Sequence, residues 1–160
     1  MAACANSATR ENRNLYQSIG SEYLRIIVFL TFRSHTHDVM NPLISIVDDD
    51  ESVRTALKSL IDSVGFRAEV FGSGEEFLKS PFVFKSDCLI ADVRMPGMGG
   101  LELQARLHAA GSAVPIVFIS AHDDKDARAR GLRAGAIDFL QKPFSEESLL
   151  GAISAGLDKS

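Results

Sequence analysis

Between residues 43 and 157 the chain alternates five short apolar runs with five longer stretches that have helical spacing. This alternation is typical of repeated strand–helix units, in which parallel strands form a sheet and the helices cover its faces. The predicted strands are Leu43–Val47, Ala68–Phe71, Cys88–Val93, Val114–Ser120 and Ala136–Gln141. The sequence therefore predicts an α/β fold with a five-stranded parallel sheet.

The stretches between these runs carry residues that favour helix ends. After the first run, Gly65 follows a set of apolar residues on one helical face and is a natural C′ residue. That face comprises Val53, Leu57, Leu60, Ile61 and Val64. Ser145 is a natural N-cap for the last helix. The other predicted helices span Glu75–Lys79, Leu101–Ala110 and Asp124–Ala134, and the last one runs from Ser145 to about Leu157.

Charge and cysteine content exclude several classes of protein. The formal net charge is -4 and basic residues form no run, so the chain has no electrostatic reason to bind nucleic acid directly. The two cysteines, Cys4 and Cys88, have no metal-binding spacing, which argues against a zinc site or a disulfide framework and favours the cytoplasm. The apolar stretch Ile26–Leu30 lies between Arg25 and Arg33, far short of the roughly 20 residues of a membrane span.

Composition changes near Met40. Residues 1–40 hold four arginines and three carboxylates, whereas residues 41–160 hold 13 basic and 18 acidic residues. We therefore predict an N-terminal extension over residues 1–40, either disordered or an artefact of an upstream start codon, and a domain over residues 41–160. An amphipathic arm around Leu24–Leu30 is the alternative, and the sequence does not decide between them.

Polar residues stand where the predicted strands end. Asp48 and Asp49 close the first strand, Asp92 the third and Ser120 the fourth, while Lys142 follows the fifth. In an open parallel sheet such side chains meet at the carboxyl edge. Three converging carboxylates repel one another unless a cation lies among them, and oxygen ligands favour Mg²⁺. The sequence predicts a magnesium site at this edge.

The same residues suit phosphoryl chemistry. A metal ion and the Lys142 ammonium neutralise phosphoryl oxygens, and the Ser120 hydroxyl donates a hydrogen bond. An aspartate such as Asp92 can itself be the nucleophile and form an acyl phosphate. Each residue alone has a plainer explanation, since aspartates from Asp48 to Asp50 would also cap a helix. The combination, in contrast, favours a reactive site.

Four stretches together resemble the receiver domain of bacterial response regulators, and most closely its FixJ-type branch. They occur in the family's order, and 43, 28 and 22 positions separate Asp49, Asp92, Ser120 and Lys142 in turn. The stretches are IVDDDESVR (46–54), DVRMPGMGGLEL (92–103), VFISAH (117–122) and GAIDFLQKPF (135–144). The resemblance implies a doubly wound, flavodoxin-like receiver fold with strand order 2-1-3-4-5.

The resemblance also implies roles for residues at the site. Asp92 would accept a phosphoryl group from a sensor histidine kinase or a phosphotransfer protein. Asp49 would bind Mg²⁺ directly, Asp48 would act through water or by its position, and the Arg94 carbonyl would supply a backbone ligand. Lys142 would pair with the carboxylate before transfer and with the phosphoryl group afterwards.

Further positions match the family's conformational switch. Ser120 would move toward the phosphoryl group, and Phe139 would then rotate inward. The Lys142–Pro143 peptide is cis in this family, and X–Pro bonds are where a cis peptide costs little. Arg94 and His122 flank the site as tuning positions. At the position of His122 the family tunes the access of water to the phosphoryl group, but an exposed loop histidine is an equally good interpretation.

The resemblance has limits at the output end. FixJ-type relatives continue into a helix-turn-helix domain, whereas this sequence stops at Ser160, so we expect a stand-alone receiver that is not a conventional enzyme. It would signal to a downstream protein through its last two helices and fifth strand, and phosphorylation could pair two copies. One alternative is an interaction module that ignores phosphate. A phosphoaspartate-forming phosphatase is less favoured, because Asp92 is followed by Val93 and Arg94 rather than by the Asp-x-Asp pattern.

Overall fold

The predicted alternation of strands and helices is present in the computed structural model, which describes residues 41–159. The predicted extension over residues 1–40 lies outside the described residues. The strands are β1 Leu43–Val47, β2 Arg67–Phe71, β3 Cys88–Asp92, β4 Ile116–Ser120 and β5 Asp138–Gln141. The helices are α1 Glu51–Ser63, α2 Gly74–Lys79, α3 Gly100–Ala109, α4 Lys125–Arg133 and α5 Glu146–Leu157.

The five strands form one parallel sheet in the order β2-β1-β3-β4-β5, which confirms the predicted fold class. Every residue of β1, β3 and β4 is buried, because helices cover both faces of the sheet. The strand order reverses between β1 and β3. Ligand sites in open α/β sheets lie beyond the carboxyl ends of strands at such a reversal.

Two predicted strands began too early. The prediction for β4 started at Val114, but Pro115 has no N–H to donate, and the strand begins at Ile116. The prediction for β5 started at Ala136, whose N–H instead donates to the carbonyl of Gly131 and completes the end of α4. The other predicted boundaries differ from the structure by at most one residue.

The predicted helix ends at Gly65 and Ser145 are confirmed. Gly65 has a φ of 84°, a left-handed conformation that glycine adopts without strain, and the N–H of Phe66 donates to the carbonyl of Ile61. At the start of α5, the Ser145 hydroxyl accepts a hydrogen bond from the N–H of Ser148 at 3.1 Å. Both ends satisfy backbone groups that a helix leaves unpaired.

Helix α4 is held mainly by polar contacts. It buries only Ala127 and Gly131, whereas α5 buries six residues. The side-chain amide of Gln104, on α3, donates to the carbonyls of Gly131 and Ala134 at 3.2 and 3.4 Å. A Cβ at Gly131 would lie 2.9 Å from a ring carbon of Phe118, so the glycine lets the helix approach the sheet. Across residues 41–159, no helix is long and apolar enough to span a membrane.

Candidate functional site

The fold brings three predicted carboxylates together at the carboxyl edge of the sheet. Asp48 directly follows β1, and Asp92 is the last residue of the neighbouring strand β3. One carboxylate oxygen from each of Asp48, Asp49 and Asp92 lies within 4.8 Å of the others. Asp48 is fully buried, Asp92 is nearly so and Asp49 is exposed, so the cluster opens to solvent on one side.

The run of three aspartates divides into two tasks. Asp50 is the N-cap of α1, and its carboxylate accepts hydrogen bonds from the N–H groups of Ser52 and Val53, which hold its pKa below the ordinary value. Asp48 instead accepts from the N–H of Asp50 at 2.8 Å and faces the cluster. Helix capping therefore accounts for Asp50 but leaves Asp48 and Asp49 for another purpose.

Lys142 lies between two of the carboxylates. Its Nζ atom is 2.9 Å from Asp48 Oδ2 and 3.6 Å from Asp92 Oδ2. Its backbone N–H donates to the carbonyl of Ser120 at 2.7 Å, which fixes the end of β5 against β4. The Lys142–Pro143 peptide is cis, as predicted.

The electrostatics of the cluster favour a divalent cation. Burial raises the pKa of Asp92 above its ordinary value, Lys142 opposes this rise, and the charges of Asp48 and Asp49 add to it. With all four groups ionised, three carboxylates and one ammonium carry two net negative charges. Hard oxygen donors of this number, with room for water on the exposed side, match the coordination that Mg²⁺ prefers. The residues present therefore fit the predicted metal.

The predicted switch residues have contacts of their own. The buried Ser120 hydroxyl donates to the carbonyl of His122 and accepts from its N–H, both at 3.2 Å. His122 thus contributes backbone groups, and its side chain is exposed. The Phe139 ring is buried and lies 6.1 Å from the ring of Phe118, centroid to centroid.

Sequence reasoning missed the contact of Arg128 with Phe139. The guanidinium carbon of Arg128 lies 5.7 Å from the centroid of the Phe139 ring, and Nη1 donates to the Phe139 carbonyl. A cation over an aromatic face is attracted to the ring's negative charge. No sequence pattern signals this contact, because α4 and β5 meet only in the folded sheet.

Three further contacts hold the loops around the cluster. Arg54 Nη1 donates to the Asp48 carbonyl at 2.7 Å, a reach from the first turns of α1 back to the strand end. Glu75 accepts from the N–H of Met98 at 3.0 Å. Arg94, whose N–H donates to Asp92 Oδ1 at 3.3 Å, also forms an ion pair of 2.9 Å with Asp124. The Arg54 contact with Asp48 and the Arg94 N–H bond to Asp92 are each local to one turn of the chain. The Glu75–Met98 and Arg94–Asp124 contacts join separate parts of the chain, which no sequence pattern relates.

Gly100 allows the backbone of Asp92 to approach α3. A Cβ at Gly100 would lie 2.4 Å from the Asp92 carbonyl oxygen, closer than real Cβ atoms come to any neighbour. The N–H of Gly100 also donates to the carbonyl of Val93 at 3.0 Å. The start of α3 is thus packed directly on the strand end that carries Asp92.

Comparison with known proteins decides which family these features belong to. Residues 44–154 match the sequence model of the response regulator receiver domain. The chain belongs to the response regulator receiver family. Response regulator protein TmoT of Ectopseudomonas mendocina is 47% identical over 125 residues, which cover 78% of this chain and 56% of that protein. The receiver spans about half the length of the curated relatives it matches.

Solved structures agree with this assignment. A response regulator receiver protein from Burkholderia phymatum is 44% identical, with a TM-score of 0.65, and the match covers 74% of this chain and 96% of that one. FixJ-N is 31% identical, with a TM-score of 0.69, over 76% of this chain and 98% of that one. This chain is therefore a receiver domain of a two-component response regulator.

Proposed function

We propose that this receiver accepts a phosphoryl group on Asp92 from the phosphohistidine of a sensor histidine kinase or a phosphotransfer protein, in a reaction that depends on Mg²⁺. The observation that carries the proposal is the cluster of Asp48, Asp49 and Asp92 with Lys142 inserted among them. A purely structural sheet edge gains nothing from gathering three carboxylates.

Asp49, Asp92 and the Arg94 carbonyl would hold the metal ion, with Asp48 acting through water or by its position. When bound, Mg²⁺ neutralises charge on the phosphoryl oxygens. Asp48 is also tied to Lys142, so its charge orients the ammonium that faces Asp92. Asp49 is exposed, so we expect a phosphodonor to approach from its side of the cluster.

In the transfer step a carboxylate oxygen of Asp92 attacks phosphorus, and an acyl phosphate forms. The bond between phosphorus and the histidine nitrogen breaks, and its electron pair returns to the imidazole. Burial raises the pKa of Asp92 in the metal-free site, and a cation bound beside it would favour the ionised carboxylate that attacks. Lys142 Nζ, 3.6 Å from Asp92 Oδ2, supplies positive charge to the transferred group.

Ser120 would leave the His122 backbone and donate its hydroxyl to a phosphoryl oxygen. The buried ring of Phe139 would respond to that movement, and the face formed by α4, β5 and α5 would carry the signal to a downstream protein or a second copy. Arg94 and His122 stand at the entrance and would tune hydrolysis of the acyl phosphate.

Intact-protein mass after incubation with Mg²⁺ and acetyl phosphate tests the proposal. We expect one phosphoryl adduct on the wild type and none on Asp92→Asn or in EDTA. Asp123→Asn, which removes an exposed carboxylate outside the cluster, is the matched control and should be phosphorylated normally. The proposal would be contradicted if the folded wild type showed no change in mass either with acetyl phosphate or with a panel of kinases. That result would favour an interaction module that ignores phosphate.

A further inference from the structure

Arg94 and Asp124 join two loops that border the phosphorylation site. Arg94 lies two residues after Asp92, and its Nη2 atom is 2.9 Å from Asp124 Oδ2, thirty residues further along the chain. Asp124 ends the loop that begins at Ser120, and its N–H donates to the carbonyl of His122 at 3.0 Å. The ion pair therefore connects the loop after β3 with the loop after β4.

The two carboxylate oxygens of Asp124 have different partners. Oδ1 accepts the N–H of Ala127 at 2.9 Å and caps α4, while Oδ2 holds the guanidinium of Arg94. One side chain thus attaches the N-terminus of α4 to the residue that follows the phosphoacceptor by two positions. The helix has only two buried residues of its own, so few apolar contacts oppose a movement of its N-terminus when this attachment is lost.

The guanidinium has a second possible partner. The Arg94 backbone lies next to Asp92, since its N–H donates to Asp92 Oδ1 at 3.3 Å. Its side chain is long and more than half exposed, so it is free to change rotamer and turn toward an anion on Asp92. A phosphoryl group carries more charge than a carboxylate and accepts two parallel hydrogen bonds from arginine. It would therefore compete with Asp124 for the same guanidinium.

We propose that Asp124 is a positioning residue that withholds the Arg94 guanidinium from the phosphorylation site, and that a phosphoryl group on Asp92 competes with it. The inference rests on the proposed function of Asp92. Phosphorylation would exchange the Arg94–Asp124 ion pair for an Arg94–phosphoryl contact. The N-terminus of α4 would then keep its cap but lose its tie to the loop after β3.

A double-mutant cycle on beryllofluoride binding in Mg²⁺ tests this competition. The four proteins are the wild type, Asp124→Asn, Arg94→Gln and the double variant. Asparagine caps a helix as well as aspartate does, so Asp124→Asn removes the charge that holds Arg94 while the cap remains. We expect Asp124→Asn to tighten binding about fivefold, the scale of one exposed charge pair, and to change nothing when Arg94 is already replaced by glutamine.

Asp126→Asn is the matched control, because it removes one exposed carboxylate from the same turn of α4. It should leave the affinity for beryllofluoride unchanged. The Nε–H resonance of Arg94 provides a readout that a purely structural role would not move. We expect beryllofluoride to shift it in the wild type, and Asp124→Asn to shift it before any anion is added.

The outcomes separate the inference from the function it rests on. Failure of the wild type to bind beryllofluoride would overturn the proposed function and this inference with it. If the wild type binds beryllofluoride normally, the proposed function stands. The inference alone would then be overturned if Asp124→Asn changed the affinity equally in the wild-type and Arg94→Gln backgrounds. An effect of Asp126→Asn as large as that of Asp124→Asn would also overturn it, because general charge would then explain the result.

Discussion

Lys142 and Asp48 form an ion pair of 2.9 Å across 94 residues of sequence, and the Asp48 carboxylate has no exposed surface. The pair joins the end of β5 to the end of β1, with β3 and β4 between them in the sheet. Lys142 Nζ is nearer to Asp48 Oδ2 than to Asp92 Oδ2, so in this structure the ammonium mainly compensates the buried charge of Asp48.

Removing the lysine should therefore weaken the fold as well as the chemistry. We expect Lys142→Met to lower the free energy of unfolding by about 2–3 kcal/mol, because it leaves a buried carboxylate without its cation. Urea denaturation in EDTA measures this, and added Mg²⁺ should restore part of the loss. Lys85→Met, at an exposed position, should cost little, and equal losses in the two variants would contradict the argument.

Asp92→Asn should stabilise the metal-free protein at neutral pH. Burial raises the pKa of Asp92 in the folded state, so the folded form binds this proton more tightly than the unfolded form does. The free energy of unfolding then falls as pH rises from the ordinary pKa of a carboxyl group through the raised pKa of Asp92. Above the raised pKa, this loss of stability is fully present. The variant removes that loss, so we expect Asp92→Asn to have a higher Tm than the wild type at neutral pH.

Thermal unfolding in EDTA between pH 3.5 and pH 8 tests this expectation. The difference in Tm between Asp92→Asn and the wild type should shrink as pH falls and disappear below the ordinary carboxyl pKa. Asp87→Asn serves as a comparison at a site outside the cluster. A difference for Asp92→Asn that stays constant across the whole range would show that titration of Asp92 does not cause it.

Gly100→Ala should disturb the phosphoacceptor directly. The added methyl group would meet the Asp92 carbonyl at 2.4 Å, and backbone atoms cannot move aside without shifting the strand end. We expect a loss of about 2 kcal/mol or more in stability and a slower reaction with acetyl phosphate. Gly72→Ala is the control, since its nearest neighbour would be a side-chain oxygen at 3.5 Å. Similar behaviour of the two variants would refute the steric explanation.

Gly131→Ala should destabilise the protein, although replacing glycine by alanine inside a helix usually stabilises it. Alanine in a helix interior is favoured over glycine by about 1 kcal/mol. Here the methyl group would lie 2.9 Å from the Phe118 ring, so we expect a net loss of stability. Phe118→Leu makes room for the methyl group, and in that background Gly131→Ala should cost less. A stabilising effect of Gly131→Ala in the wild-type background would contradict this account.

The sequence was sufficient to predict that four side chains cluster at one edge of the sheet, because a single topological rule determines their position. These residues are Asp48, Asp49, Asp92 and Lys142. Each follows a short apolar run, and the ends of parallel strands share one edge of the sheet. The reason for the glycine within α4, in contrast, is visible only in the structure, where the Phe118 ring lies beneath Gly131. The functional roles of the four clustered residues stay predictions until phosphorylation is measured.

Side-chain contacts between different secondary-structure elements could not be predicted from the sequence. Arg94 was predicted to flank the site, yet its partner Asp124 was predicted only as the start of a helix. This ion pair depends on how the loops after β3 and β4 lie next to each other in the fold. Periodic patterns in the sequence carry no information about the distance between two loops. Arg128 and Phe139 are eleven residues apart but on different elements, so helical spacing gives no hint of their contact.

The polar attachment of α4 has a thermodynamic consequence. The helix buries only Ala127 and Gly131, while Asp124 and Gln104 bind its two ends through hydrogen bonds. A shift of this helix would exchange hydrogen bonds and expose little apolar surface, and heat capacity changes chiefly with exposed apolar area. The equilibrium constant of such a shift would then follow a nearly straight van 't Hoff line, whereas unfolding of the whole domain would give a strongly curved one.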